Sequence, residues 1–137
     1  MTTTPYRILV TGSRAWNDHD TIHKALADTV RPLPANREIV IAHGACPTGA
    51  DHIADQWARA YGARPEAHHP EDHGTWPRCG PIRNHHMVTL GADICLAFIG
   101  PCTSHRCHRP RPHPSHGASG CADLAERAGI PTRRWTV

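Results

Sequence analysis

At 137 residues the chain has the size of one ordinary domain, enough to bury a core and too little for two. Its formal charge of +3, carried almost wholly by arginine, is too small to demand a nucleic acid, and its longest apolar run, Ile94 to Ile99, is far too short to cross a bilayer. No signal-peptide pattern precedes the first strand, so a soluble, cytoplasmic protein is expected, with the six cysteines as free thiols or metal ligands rather than a disulfide framework.

Tyr6 to Thr11, with Ile8, Leu9 and Val10 in succession and Gly12 behind them, reads as a strand buried on both faces. A helix is expected from about Asp20 to Val30 on the stripe Ile22, Ala25, Leu26 and Val30, stopped by Pro32 and Pro34. Glu38 to Ala42 is the second strand. The helix Gly49 to Tyr61 follows, with Ile53, Trp57, Ala60 and Tyr61 on one side and Gly62 as its stop. Arg64 to His68 is read as a third strand, and Pro81 to Leu90 as a helix with proline in its first turn and Gly91 behind it. Asp93 to Ile99 forms the fourth strand. A Pro-, His- and Cys-rich loop from Gly100 to Gly117 leads into the last helix, Ala118 to Ala128, and a final strand, Thr132 to Thr136.

Strands alternating with helices predict a single α/β domain over residues 1–137, a Rossmann-like three-layer sandwich on a five-stranded, mainly parallel sheet. In such sheets ligands bind in the crevice beyond the carboxyl ends of the strands, so the strand-to-helix loops carry the candidate chemistry. In the first loop, Gly12 permits close backbone approach, Ser13 offers a hydroxyl, and Arg14 can pair with phosphate or carboxylate; a tight turn with a solvated arginine is the plain alternative. The second loop, Gly44 to Asp51, has the glycine spacing of a phosphate-binding loop through Gly44, Thr48 and Gly49 but lacks the Lys-Ser/Thr ending, which excludes a P-loop ATPase. Asp51 is assigned either to capping or to ribose hydroxyls.

Gly80 to Asn84 places Arg83 and Asn84 in a first helical turn, where a cation works against the helix dipole. An anionic ligand explains it, and so does pairing with a surface carboxylate such as Asp72. Ser115, Gly117 and Ala118 open the last helix as an anion cradle or as a plain flexible loop. Cys95 reads as a core thiol. In the long fourth loop, Cys102, Cys107 and Cys121 with one histidine are the candidate set for a structural zinc ion, to which no cofactor assignment is otherwise tied.

Taken together, Ile8 to Arg14, Gly44 through Asp51, Gly80 through Asn84 with Met87, and Ser115 to Gly117 before Ala128-Gly129-Ile130-Pro131 resemble the SLOG superfamily, in particular its YspA, cpYpsA-related branch. The resemblance implies a Rossmann-like fold that binds nucleotide-related ligands. Relatives in that superfamily include the LOG phosphoribohydrolases and the DNA-processing protein A family. The LOG signature Pro-Gly-Gly-x-Gly-Thr-x-x-Glu is missing here, so that catalytic glutamate is not carried over. Where the branch often has Ser-x-Gly-Thr, this chain has Ser115-His116-Gly117-Ala118.

The expected function is to bind, sense or process a nucleotide-derived small molecule, and the expected partners are that ligand and at most further copies of the chain in a homo-oligomer. An N-glycosidic hydrolase is the alternative, with Asp51 as its candidate catalytic carboxylate and Glu66 or Asp72 behind it. Nucleic acid binding through Arg106, Arg109, Arg111, Arg133 and Arg134 ranks third, because few aromatic platforms accompany those arginines.

Overall fold

The computed structural model of the chain describes residues 4–136. Five strands, Tyr6–Gly12 (β1), Ile39–His43 (β2), Arg64–Ala67 (β3), Ile94–Ile99 (β4) and Thr132–Thr136 (β5), pair in the order β3-β2-β1-β4-β5. Every pairing is parallel, so the sheet is all-parallel rather than mainly so. Four helices connect them: His19–Val30 (α1), Gly49–Tyr61 (α2), Cys79–Leu90 (α3) and His116–Arg127 (α4).

Because side chains alternate along a strand, the central run of β1 serves both layers. Ile8 and Val10 pack with Ile22 and Leu26 of α1 and Ile53 and Ala54 of α2, while Leu9 packs with Met87 of α3 and Cys121 and Ala125 of α4. Strand β4 divides in the same way, Leu96 and Phe98 going to the first layer and Cys95 to the second. This double burial is why both strands read as unbroken apolar runs.

The boundaries move by one or two residues for local reasons. Helix α1 starts at His19 because Asp18 caps it, accepting the Thr21 N–H at 3.1 Å. Helix α3 starts at Cys79, which places Pro81 third in the first turn, where no N–H is required. A short 3-10 turn at Pro70–His73, unforeseen in the sequence, sits between β3 and α3. Among the described residues no helix is long and apolar enough to cross a membrane.

The strand order reverses direction between β1 and β4, so their carboxyl ends, Gly12 and Ile99, flank the topological switch point. That is where an open parallel sheet leaves a crevice for a ligand.

Candidate functional site

At the switch point the chain crosses itself at very close range. A Cβ on Gly12 would lie 2.2 Å from the Ala50 Cβ and 2.9 Å from the Phe98 carbonyl, so only glycine lets β1 end beneath the first turn of α2. Gly49 has φ 74° and its own missing Cβ would lie 2.2 Å from the Ser13 carbonyl oxygen. Two bonds close this junction: the Ala50 N–H donates to the Ser13 carbonyl at 3.3 Å, and the Thr48 hydroxyl donates to the Arg14 carbonyl at 3.1 Å. The start of α2 is therefore engaged in part by the protein's own carbonyls. Ser13 is buried; its hydroxyl oxygen accepts the Gly100 N–H at 2.7 Å and its N–H donates to Phe98 at 3.0 Å, which ties β1 to β4.

The segment after β2 is held from three sides. His43 Nδ1 accepts the Ala45 N–H at 3.0 Å, so the ring proton sits on Nε2 and is donated to Asp55 Oδ2 at 2.7 Å. Asp55 is also bonded by Arg59 at 2.7 Å; burial opposes its ionisation, but the Arg59 and His43 hydrogen bonds outweigh it and hold the carboxyl below its usual range. With both ring nitrogens engaged, His43 orients the loop and is not a free base. Asp51, only 6% exposed, accepts the Cys46 N–H through Oδ2 at 3.3 Å, while its Oδ1 is buried with no hydrogen-bond partner among the described residues. Burial raises its pKa against the lowering pull of His43, the Cys46 N–H and Arg83.

Arg83 completes the clasp. Its Nη1 donates to the Gly44 carbonyl and, at 3.4 Å, to that of His68; its Nε donates to the side-chain oxygen of Asn84 at 2.9 Å. Asp72 is not its partner. A Cβ on Gly44 would fall 2.7 Å from that guanidinium and 3.0 Å from Asp51 Oδ2, so glycine is what admits both charges to one spot. The structure thus gathers Gly12, Ser13, Gly44, Thr48, Gly49, Asp51, Arg83 and Asn84 at one edge, with most of their polar atoms already committed.

Arg14 is an exposed cation of this edge, and it lies over the ring of Trp76 with 5.3 Å from guanidinium carbon to centroid. Trp76 is half exposed, its inner edge against Gly80 of α3, so the segment before α3 reaches back to the loop after β1. Sequence reasoning missed Trp76: an aromatic in a proline- and glycine-rich loop belongs to no periodic face, so no local pattern singles it out. It also missed the group His68, His73 and His86, whose rings lie 4.9 and 5.5 Å apart around His86. Glu66, one of the carboxylates considered for catalysis, is tied up by Arg7 at 3.0 and 2.7 Å and by His68 at 2.7 Å. These bonds, Arg7 foremost, pull its carboxyl down to about 2.

At the far side of the crevice, Ser115 precedes α4 without a side-chain cap, and a Cβ on Gly117 would meet nothing within 4 Å. Ala118 is buried against Ala97 and Ile99, so of the two residues only Gly117 is exposed. The candidate zinc set needs correction. Cys121 is fully buried beside Leu9 and Cys95, where burial pushes its thiol up to about 11 and that of Cys95 to about 12. Cys102 and Cys107 instead come together with His113 and His116. The arginines proposed for nucleic acid are partly spent as well, Arg134 on Asp123 and Glu126 and Arg133 on the ring of Trp135. A depression of about 660 Å³ lies at the opposite edge, lined by Val88, Gly91, Leu124 and Ile130 among others, away from every residue of this crevice.

The sequence model of the YspA, cpYpsA-related SLOG family matches residues 6–73, which covers β1 through the 3-10 turn before α3. The Gene 61 protein of Mycobacterium phage D29 is similar over 131 residues at 37% identity, covering 91% of this chain and 92% of that protein. No solved structure matches the chain.

Proposed function

Because the chain belongs to the YspA, cpYpsA-related SLOG family, we propose that it binds a nucleotide-derived small molecule across the C-terminal edge of its sheet. The observation that carries this reading is the pairing of Trp76 and Arg14 at the lip of the switch-point crevice. A half-exposed indole offers a flat face to a nucleobase, and the neighbouring guanidinium offers donors to a phosphate. Beneath them the Arg83 and Asp51 clasp fixes the floor, and the exposed first turn of α4 at Gly117 adds a helix N-terminus to the same edge of the sheet. Asp51 is covered by the segment 44–46, so a role at ribose hydroxyls requires that segment to lift.

Hydrolysis of an N-glycosidic bond ranks below binding. It needs a carboxylate both available and oriented: Glu66 is locked to Arg7, Asp51 is buried, and Asp72, exposed in the turn before α3, makes no side-chain bond among the described residues that would orient it.

The test is a thermal-shift series over nucleoside mono- and diphosphates, ADP-ribose, cyclic dinucleotides, ribose 5-phosphate and inorganic phosphate, run on the parent and on Trp76→Ala. A ligand at about 100 times its Kd adds about 2.7 kcal/mol of stability. The expected result is a shift from a base-containing ligand in the parent, reduced at least tenfold in affinity in Trp76→Ala, with the phosphate-only probes unaffected by the substitution. Absence of any shift, or equal affinity in parent and variant, overturns the reading. Chromatographic release of a free base during incubation would move the protein to the hydrolase alternative.

A further inference from the structure

Between Pro101 and Ser115 the chain makes a long excursion from the end of β4 to the start of α4, outside the residues that the family model matches. Its only buried side chain is Cys102. Such a segment has no apolar core of its own with which to offset the entropy of being ordered. Yet it is drawn into a defined shape. Pro101 and Pro114 form an antiparallel bridge, the Cys102 N–H donates to the His113 carbonyl at 2.7 Å, and the Ser115 N–H donates to Gly100 at 2.9 Å. Arg111 closes the tip by donating to the carbonyls of Cys102 and Ser104.

This stem sets four side chains facing inward. One ligand atom each from Cys102, Cys107, His113 and His116 falls in a group whose members all lie within 4.8 Å of one another. Cys107 Sγ is 3.4 Å from His113 Nε2 and 3.2 Å from His116 Nε2, and the two Nε2 atoms are 3.3 Å apart. In a tetrahedron with metal–sulfur bonds of about 2.3 Å and metal–nitrogen bonds of about 2.0 to 2.1 Å, ligand atoms stand roughly 3.3 to 3.8 Å apart. The three edges among Cys107, His113 and His116 are close to those of such a tetrahedron, and the three to Cys102 fall within 4.8 Å.

The His113 tautomer agrees. His113 Nδ1 lies 2.8 Å from the Pro110 carbonyl, an oxygen that can only accept, so Nδ1 carries the ring proton and Nε2 presents a bare lone pair to the centre of the group. A backbone carbonyl fixing the outer nitrogen of a ligating histidine is the usual support of a metal site.

We propose that Cys102, Cys107, His113 and His116 bind one structural Zn²⁺ ion. Two thiolates and two neutral imidazoles match zinc in softness and charge, and four protein ligands leave no open position for a substrate, so the ion orders the loop. Binding displaces one proton from each cysteine thiol to solvent, and the two thiolates neutralise the ion. His116 is the first residue of α4, so the ion also fixes where that helix starts.

The experiment is elemental analysis of the full chain purified without a histidine tag, on the parent, Cys107→Ser, His113→Ala and His105→Ala. His105 is an exposed histidine of the same loop that stands outside the group. The proposal expects about one zinc per chain in the parent and in His105→Ala, and less than about a tenth in the other two, with far-ultraviolet circular dichroism retained because neither Cys107 nor His113 belongs to the hydrophobic core. Cobalt(II) put in place of zinc is expected to give the absorption of a tetrahedral thiolate site, lost in Cys107→Ser. Zinc below about a tenth per chain in the parent, with no rise in melting temperature on adding equimolar Zn²⁺, overturns it. So does full zinc occupancy in Cys107→Ser.

Discussion

On the β1–α2 half of the C-terminal edge, a Cβ on Gly12, Gly44 or Gly49 would come within 2.7 Å of a neighbouring atom, whereas on the α4 half one on Gly117 or Gly120 would meet nothing within 4 Å. Both halves look alike in sequence, each a run of small residues before a helix. The first half uses its glycines to bring backbone against backbone, and the space a ligand would need there is partly filled by the carbonyls of Ser13 and Arg14. The second half keeps its space open. A run of glycines before a helix therefore permits close approach without implying it, and the surroundings decide whether anything comes close.

Gly49→Ala tests the crowded half and has the largest expected effect. The substitution forces an alanine to φ 74° and drives its Cβ into the Ser13 carbonyl. Left-handed strain of about 1 to 2 kcal/mol adds to an overpacking cost of about 1 to 3 kcal/mol, so a loss of about 3 kcal/mol in urea denaturation is expected. A loss under about 1 kcal/mol would mean that the junction yields easily, and would erase the contrast between the halves.

A second contrast concerns the carboxylates. Asp51 is buried with a raised pKa, whereas Glu66 is held at about 2 by Arg7 and His68. Because the Glu66 value lies below that of an unfolded glutamate, about 4.3, the folded state binds its proton more weakly. Its stabilisation is complete above about pH 5 and is lost as pH falls through about 2. Asp51 works with the opposite sign, since its raised value makes stability fall as pH rises past the unfolded aspartate range. Both partners of the Arg7–Glu66 pair keep a quarter or so of their side-chain surface in water. Discounted for that screening, the pair contributes about 1 to 2 kcal/mol. Glu66→Gln is expected to cost that amount at pH 7 and to converge with the parent near pH 2, read from urea midpoints across the range. Parallel curves at all pH values would assign the pair no electrostatic role.

What the sequence revealed and what it hid divide along the same line. The central strands and the helix stripes were legible because burial there follows a short period: Ile22, Ala25, Leu26 and Val30 recur on one face of α1, and all four are buried. Ala118, Cys121, Ala122 and Ala125 form an equally regular buried face on α4, which is why Cys121 belongs to the core and not to the loop cluster. The cluster itself depends on the Pro101–Pro114 bridge, which folds Cys102 back beside His113; spacing along the chain does not encode that return. Trp76 and the burial of Asp51 depend on loops from different strands meeting, and a local pattern carries no record of such meetings.

The smallest expected effect tests the open half and has the opposite sign. Gly117 lies exposed in the first turn of α4, and a Cβ there meets no atom of the protein. Glycine costs a helix about 0.5 to 1 kcal/mol relative to alanine, less in the first turn, so Gly117→Ala is expected to raise stability by about 0.5 kcal/mol. The chain would then be carrying a residue that weakens its own helix. If the exposed start of α4 at Gly117 receives an anion, the added methyl crowds the approach, and the nucleotide that shifts the parent's melting temperature should bind the variant several-fold more weakly despite the firmer helix. Gain in stability with loss of affinity assigns the open glycine to the ligand. Gain in stability with unchanged affinity removes α4 from the site and leaves the Arg14–Trp76 lip and the Arg83 clasp to hold the ligand alone.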